Sequence, residues 1–247
     1  MKIAVISDIH GNVFALKAVL DDLKKRDVDK IVNLGDIFYG PIAPKATYDL
    51  LQQYEIVTIQ GNQDRQVSEA QPDEIINNPT MAFVVGQLKG EPLQWLRSLP
   101  HELHLSDDVY LCHGGPGDDL LYFLENVESG YPVVRSDTEI SSMLKGESAS
   151  LILCGHTHVP RSVSLASGQL IVNPGSVGLP AYADDLPVPH RMENYSPHAT
   201  YAIIEKHQHD WRVEHFKIPY EVDLAVQQCE KLQRNDWTGF LKTGRAS

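Results

Sequence analysis

Two aspartates, one asparagine and four histidines stand where they could hold divalent cations: Asp8-x-His10, Gly35-Asp36, Gly61-Asn62, His113 and Gly155-His156-Thr157-His158. Carboxylate, amide and imidazole groups without a thiolate suit hard-to-intermediate divalent metals. The five fragments span roughly 150 residues, yet each directly follows a short apolar run, at 2–6, 31–34, 56–59, 109–112 and 151–154. Runs of four or five residues rich in Ile and Val read as buried strands. Ligands of open α/β sheets collect outside the carboxyl ends of the strands. The seven side chains should therefore converge on one edge. Each fragment alone is a weak signal, since a single His after a strand is ordinarily a hydrogen-bonded structural residue. Five in this order, each at a strand end, leave coincidence little room.

The elements that must position these groups follow from the same patterns. Residues 13–23 repeat apolar side chains at helical spacing beside a charged face. A strand at 30–34, a helix around 43–53 and a strand at 55–60 follow. This βαβαβ opening implies parallel strands and right-handed crossovers. Residues 75–99 read as mostly helical, broken near Gly90-Glu91-Pro92, and two strands follow near 102–106 and 108–113. A long connection from Gly114 to about Gly146 contains a helix-like stretch at 137–145. Strands recur near 150–154, 159–165, 169–173, 200–206 and 210–218, sequential and largely antiparallel, and 221–233 has helical spacing. The expected fold class is α/β, with two mixed β-sheets packed as a sandwich and helices on the outside. One domain covers 1–247, and the stretch at about 182–197, rich in Pro, Asp and His, reads as an irregular insertion.

At 247 residues the chain can bury a substantial core. Its formal net charge of −12 argues against stable binding to nucleic-acid backbone or to an anionic membrane. No run approaches the ~18 consecutive apolar residues of a membrane span. The N-terminus begins with a strand rather than a signal peptide. Cys112, Cys154 and Cys229 lack CxxC spacing and read as reduced core cysteines, so the expected location is cytoplasmic.

The fragments together resemble the calcineurin-like metallophosphoesterase superfamily, whose pattern is D-x-H, G-D, G-N-H-[DE], H and G-H-x-H. Ser7-Asp8-Ile9-His10-Gly11-Asn12, Gly35-Asp36-Ile37-Phe38-Tyr39-Gly40-Pro41 and Asn173-Pro174-Gly175-Ser176-Val177-Gly178 resemble its compact prokaryotic phosphodiesterase branch, over about 1–206. The resemblance implies two adjacent divalent ions, manganese foremost, with Fe, Zn, Ni or Co as chemical alternatives. One ion would take Asp8, His10 and His158; the other would take Asn62, His113 and His156, with Asp36 bridging. It places the catalytic positions at Asp36, Asn62, Gln63 and Asp64. A water shared by two such ions is hydroxide near neutral pH, its pKa falling from about 15.7 to roughly 7. Attack on phosphorus then needs no protein nucleophile, and Ser7 and Ser176 read as turn and packing residues.

One position departs from the pattern. Gly61-Asn62-Gln63-Asp64 carries Gln63 where the family has a histidine that assists the leaving oxygen. Gln63 can donate a hydrogen bond but no proton at pH 7. Aryl and pyrophosphate leaving groups should therefore be favoured. Asn12, Arg65, Tyr39 and His190 are candidate substrate contacts, with an ion pair as the competing role for Arg65. Tyr122 and Phe123 lie in a segment, about 117–147, where the family builds caps. His101, His104, His207, His209 and His215 show no partner pattern and read as solvated or core-satisfied. The expected function is two-metal hydrolysis of a phosphodiester or phosphoanhydride on a small, nucleotide-type phosphorylated substrate. A metal-binding scaffold for protein–protein interaction is the reading from another class. A protein serine/threonine phosphatase is a third, weakened because G-D-x-x-D-R-G is absent.

Overall fold

A strand with apolar side chains on both faces needs cover on both. The first strand, β1 (Lys2–Ile6), is such a strand in the computed structural model, which describes residues 1–208 and 210–246. Ala4 and Ile6 pack on helices, while Ile3 and Val5 enter a core shared with Val109, Leu111, Leu151 and Leu153 of a second sheet. The layers are helix, sheet, sheet, helix.

After β1 come α1 (Val13–Leu23), β2 (Lys30–Asn33), α2 (Pro44–Leu51) and β3 (Ile56–Thr58). β2 pairs in parallel with both β1 and β3. The next stretch holds α3 (Asn62–Glu69), α4 (Pro72–Asn77), α5 (Pro79–Gln87) and α6 (Glu91–Ser98). Pro72, Pro79 and Pro92 each stand in the first turn of a helix, where the missing N–H costs nothing. The same prolines would break a longer helix, so short helices result.

The chain then forms β4 (Leu103–Ser106), β5 (Val109–Leu111), β6 (Glu125–Asn126), β7 (Val133–Val134) and α7 (Asp137–Met143). β8 (Leu151–Leu153), β9 (Arg161–Ser164), β10 (Leu170–Asn173), β11 (Ala181–Asp184) and β12 (His190–Glu193) follow. The chain closes with β13 (Ala199–His207), β14 (Asp210–Ile218), α8 (Val222–Lys231) and α9 (Asn235–Thr243). One sheet has the order β14-β13-β1-β2-β3, the other β4-β5-β8-β10-β9. No helix among the described residues is long and apolar enough to cross a membrane. His209 lies outside the described residues.

Two expectations need correction. The second half is not largely antiparallel at its centre, because β5, β8 and β10 run parallel and only the edges β4 and β9 oppose them. β9 passes to the sheet edge and hairpins back, so β10 enters between it and β8. Strand patterns alone do not reveal that reversal of spatial order. Residues 182–197, expected to be irregular, include most of a β-hairpin, with Ala181 opposite Glu193 and Asp184 opposite His190. Its prolines, Pro187 and Pro189, lie between the two strands and spare the ladder.

Asn12 shows how the strand-end loops are tied. Its side-chain oxygen accepts from the Ala15 N–H (3.1 Å), capping α1, and its amide donates to the Gly178 carbonyl (2.9 Å) and the Tyr220 hydroxyl (3.1 Å). It is fully buried. In the structure this candidate phosphate contact serves as a structural tie, with every polar group of the side chain engaged. Asn12→Ala should lower the free energy of unfolding by about 1–2 kcal/mol or more, through the lost cap and the polar groups it leaves unpaired. Urea denaturation and steady-state kinetics measure this together. A raised KM at unchanged stability would restore the phosphate contact.

Candidate metal centre

The parallel strands all deliver their carboxyl ends to one edge, and the loops beyond them continue the ladder. Asp8 N–H donates to Gly35 O (2.9 Å), His10 N–H to Asp36 O (3.0 Å) and Gly155 N–H to His113 O (2.7 Å). At these strand ends Asp8, His10, Asp36, His156 and His158 all adopt positive φ, between 51° and 68°. Left-handed backbone at a residue with a Cβ costs about 1–2 kcal/mol. Strain of this kind clusters at functional sites, where surrounding structure enforces it. Here it turns the chain sharply at the end of each strand.

Three of the four imidazoles are fixed in one tautomer by backbone carbonyls. Nδ1–H donates to Tyr39 O in His10 (2.9 Å), to Leu34 O in His113 (2.8 Å) and to Leu179 O in His158 (2.7 Å). With Nδ1–H committed, Nε2 of each neutral ring carries a lone pair. The Nε2 atoms of His10 and His158 then face each other at 3.0 Å. Asp8 Oδ1, buried without a hydrogen-bond partner, lies 3.3 Å from Nε2 of His158 and 4.0 Å from that of His10. Three electron-rich atoms converging in a buried space repel one another unless a cation sits among them. His113 repeats the arrangement, its Nε2 3.0 Å from Asn62 Oδ1 and 3.5 Å from Asp36 Oδ1. Asp8, His10 and His158 form one group of atoms compact enough for an ion; Asp8, Asp36 and His113 form another. The donor set fits divalent cations.

The electrostatics are those of buried charge seeking a counter-charge. Burial, then His158, hold His10 down to about 4. Burial, then His113, hold His156 down to about 4. Burial acts the same way on His113, but the Asp36 carboxylate beside it outweighs that and pushes it up to about 10. Burial also opposes ionisation of Asp8 and Asp36, yet His158 for Asp8 and His113 for Asp36 hold both below the usual carboxylate range. In the absence of metal a proton on His113 helps balance the carboxylates; a divalent cation would displace it.

Other residues singled out in the sequence divide between the cleft and its supports. Gln63 lines the cleft, its N–H donates to Asp36 Oδ1 (2.9 Å), and its Oε1 is buried without a partner. Asp64, a candidate catalytic position, serves as a staple in the structure. Its two oxygens accept from the N–H groups of Ile37 and Gly61 (both 3.0 Å), joining the two metal-edge loops. Burial, then Asp36, push its carboxyl up to about 7. Arg65, a candidate substrate contact, has its guanidinium held by Asp119 at 2.7 and 2.9 Å. His190, another such candidate, is buried, with Nε2 accepting from the Tyr122 hydroxyl (3.0 Å). Tyr39 lines the cleft and supplies the carbonyl that orients His10, while its hydroxyl accepts from Asn78 (3.0 Å). Ser176 is a turn residue, its hydroxyl donating to Asp8 O (2.8 Å) and accepting from Leu179 N–H (2.8 Å).

The edge opens into a cleft of about 950 Å³. Beyond the ligand candidates its walls carry Tyr122, Tyr182, Trp237, Phe240, Arg135 and Arg234. Trp237 stands edge-on to His10 with ring centroids 5.8 Å apart. Sequence reasoning missed Trp237 and Arg234, which lie beyond the family-like stretch. The buried face of Trp237 and Leu241 was the available signal, and it speaks of a helix rather than of a site. The carbonyls of Tyr39 and Leu179 leave no trace in residue type at all.

Comparisons with known proteins agree with this geometry. The sequence model described as the calcineurin-like phosphoesterase superfamily domain matches residues 1–188. An uncharacterized protein of Methanocaldococcus jannaschii is 27% identical over 257 residues, covering 96% of this chain and 95% of the relative. The crystal structure of a metallophosphoesterase from Sphaerobacter thermophilus superposes with a TM-score of 0.75 at 25% identity, covering 99% of this chain and 100% of that one. A protein proposed to be a diadenosine tetraphosphatase superposes at a TM-score of 0.53 and 15% identity, over 88% of this chain and 94% of its own, a likeness of fold alone.

Gly61 provides a test of the site that leaves the ligands in place. A Cβ there would strike Asp36 Oδ1 and the Asp36 backbone and would come within 2.8 Å of His113 Cε1. The φ of −94° is open to any residue, so the clash itself is the cost. Gly61→Ala should weaken divalent-metal binding by on the order of tenfold or more, as loss of correct ligand orientation does. Calorimetric Mn²⁺ titration reads this; wild-type affinity in a folded variant would contradict the tight packing of Asp36 against Gly61.

Proposed function

As the chain belongs to the calcineurin-like phosphoesterase superfamily, we propose that it hydrolyses phosphodiesters or phosphoanhydrides with two divalent ions, manganese foremost. The substrate class is a small, nucleotide-type phosphorylated molecule, and the setting is cytoplasmic. The observation that carries the reading is the convergence of His10 Nε2, His158 Nε2 and unpartnered Asp8 Oδ1 at the base of the cleft. Ions held by Asp8, His10 and His158 on one side, and by Asn62, His113 and His156 on the other, with Asp36 between, would supply Lewis acidity to phosphoryl oxygens and acidify water.

The chain's own residues do the rest. The Nδ1–H···O=C bonds turn three imidazoles so that Nε2 faces the site. Asp64 locks the two loops that carry Asp36 and Asn62. Gln63 faces the cleft with an amide that can donate to a phosphoryl or leaving oxygen but holds no proton to give. Arg135 donates to the Tyr122 carbonyl (3.1 Å), approaches Glu139 no closer than 3.7 Å, and lines the cleft as a cation for a substrate phosphate. The cleft volume lies within the roughly 300–1,000 Å³ of small-molecule sites, and aromatic walls suit a nucleobase, where stacking is worth about 1–3 kcal/mol.

A pure scaffold has no use for five strained ligand positions, and that counts against the interaction-only reading. Hydrolysis of bis-p-nitrophenyl phosphate by chelator-stripped protein should be absent without metal and restored by Mn²⁺. No turnover with any divalent ion would transfer the weight to the scaffold. Gln63→His should raise the rate on alkyl esters by on the order of tenfold or more, with little change on aryl esters, because general-acid assistance matters most for poor leaving groups. Equal changes on both would show that Gln63 does not stand in the acid's place.

A further inference from the structure

Three of the four candidate imidazole ligands are fixed through Nδ1 by a carbonyl of the core; His156 is not. Its backbone is held, since its N–H donates to Asp8 Oδ2 (3.2 Å) and its carbonyl accepts from the Tyr182 hydroxyl (3.3 Å). Its ring has no hydrogen-bond partner among the described residues. Instead the Tyr122 ring stacks on it, with centroids 5.0 Å apart and planes within 19°, while His113 meets it edge-on at 5.3 Å.

Tyr122 is itself anchored from the other side. His190 donates Nδ1–H to the Val188 carbonyl (2.7 Å), which leaves Nε2 free to accept the Tyr122 O–H at 3.0 Å. Both groups are buried, and His190 also stands edge-on to the Tyr122 ring at 5.1 Å. Met192 and Val127 pack against Tyr122 in the same small apolar cluster. Tyr122 comes from the segment between β5 and β6, and His190 from the β11–β12 hairpin. Tyr122 shares its segment with the candidate ligand His113, whereas the β11–β12 hairpin carries no candidate ligand.

We propose that Tyr122, braced by His190, is the positioning residue for His156, its stacked ring doing for that imidazole what a backbone carbonyl does for the other three. Occupancy of the ion that depends on His156 is thereby tied to Tyr122 and its brace, whereas His10 and His158 are turned by backbone carbonyls, with the cleft-wall rings of Trp237 and Tyr182 only edge-on to them. The inference rests on the two-ion reading of the site.

Calorimetric Mn²⁺ titration of the stripped full-length protein, with competition against a chelator, separates the possibilities. Wild-type protein should bind two ions, and His156→Ala identifies the one that needs the imidazole. Tyr122→Ala should weaken that same ion by about 10–100-fold, as loss of an orienting partner does, and leave the other within about threefold. Tyr122→Phe keeps the stacked ring but loses the His190 brace, and should weaken that ion by clearly less than Tyr122→Ala does while leaving the other within about threefold. Metal-free melting temperatures of the variants show whether the fold is intact. Full two-ion binding by Tyr122→Ala overturns the proposal, as does equal loss of both ions or damage in Tyr122→Phe matching that in Tyr122→Ala. Indistinguishable binding by wild type and His156→Ala overturns the two-ion reading itself, a different result from any of these.

Discussion

Asp8 and Asp36 sit at the edge of the sandwich at 0% and 2% exposure, and a carboxylate so placed must meet positive charge or lose its own. Much of the site's construction answers that demand. Four imidazoles surround the two carboxylates, three of them turned by carbonyls so that Nε2 faces inward. Within the protein alone the answer is incomplete: Asp8 Oδ1 remains without a hydrogen-bond partner, and His10 and His158 oppose each other lone pair to lone pair. A cation completes it, which is why the site is legible as a metal centre from its own geometry.

Close approach of neighbouring strand-end loops is what gathers Asp36 and Asn62 into one site. Gly35, with φ of 99°, lies where any Cβ would collide with the Gly61 backbone, and Gly61 lies equally tight against the Asp36 carboxylate. Asp64 fastens this contact with two backbone N–H bonds from opposite loops. The glycines of Gly35-Asp36 and Gly61-Asn62 are thus there for the room they leave. The aspartate that follows Asn62 is there because an N-terminal helical turn can present a carboxylate to backbone donors. Asp64 is here the brace for a candidate metal ligand.

How much of this was readable in the sequence depended on whether side-chain identity or backbone placement carried it. Five ligand fragments at strand ends are a matter of residue type and apolar runs, and both are written in the chain. The layer order follows from β1 being apolar on both faces. By contrast, Asn12 and Arg65 were drawn toward substrate by their proximity to the motifs, when Asn12 caps α1 and Arg65 is taken by Asp119 across 54 positions of sequence. The β11–β12 hairpin was hidden by prolines that turned out to occupy only its loop, and the inner position of β10 follows from pairing that no local pattern encodes. His190 was noticed but for the wrong partner: it touches Tyr122 rather than a ligand, a contact 68 positions away.

A net charge of −12 is compatible with the proposed two-ion site and its anionic substrate. Two divalent ions would bring four positive charges against the two of Asp8 and Asp36, with the amide and imidazoles neutral, so the floor of the cleft becomes a local excess of two positive charges. Around its mouth the exposed Asp118, Glu128, Asp184 and Asp236 face only Arg135 and Arg234, and Arg234 is already paired with Asp236 at 2.6 Å. An acidic rim above a cationic floor repels an extended polyanion while admitting a phosphate small enough to reach the metals. The field is focused by low-dielectric aromatic walls, which strengthen attraction at the floor without changing the sign at the rim. On the proposed two-ion reading, selection for a small phosphorylated molecule over a nucleic-acid strand would come from where the charges stand rather than from their sum.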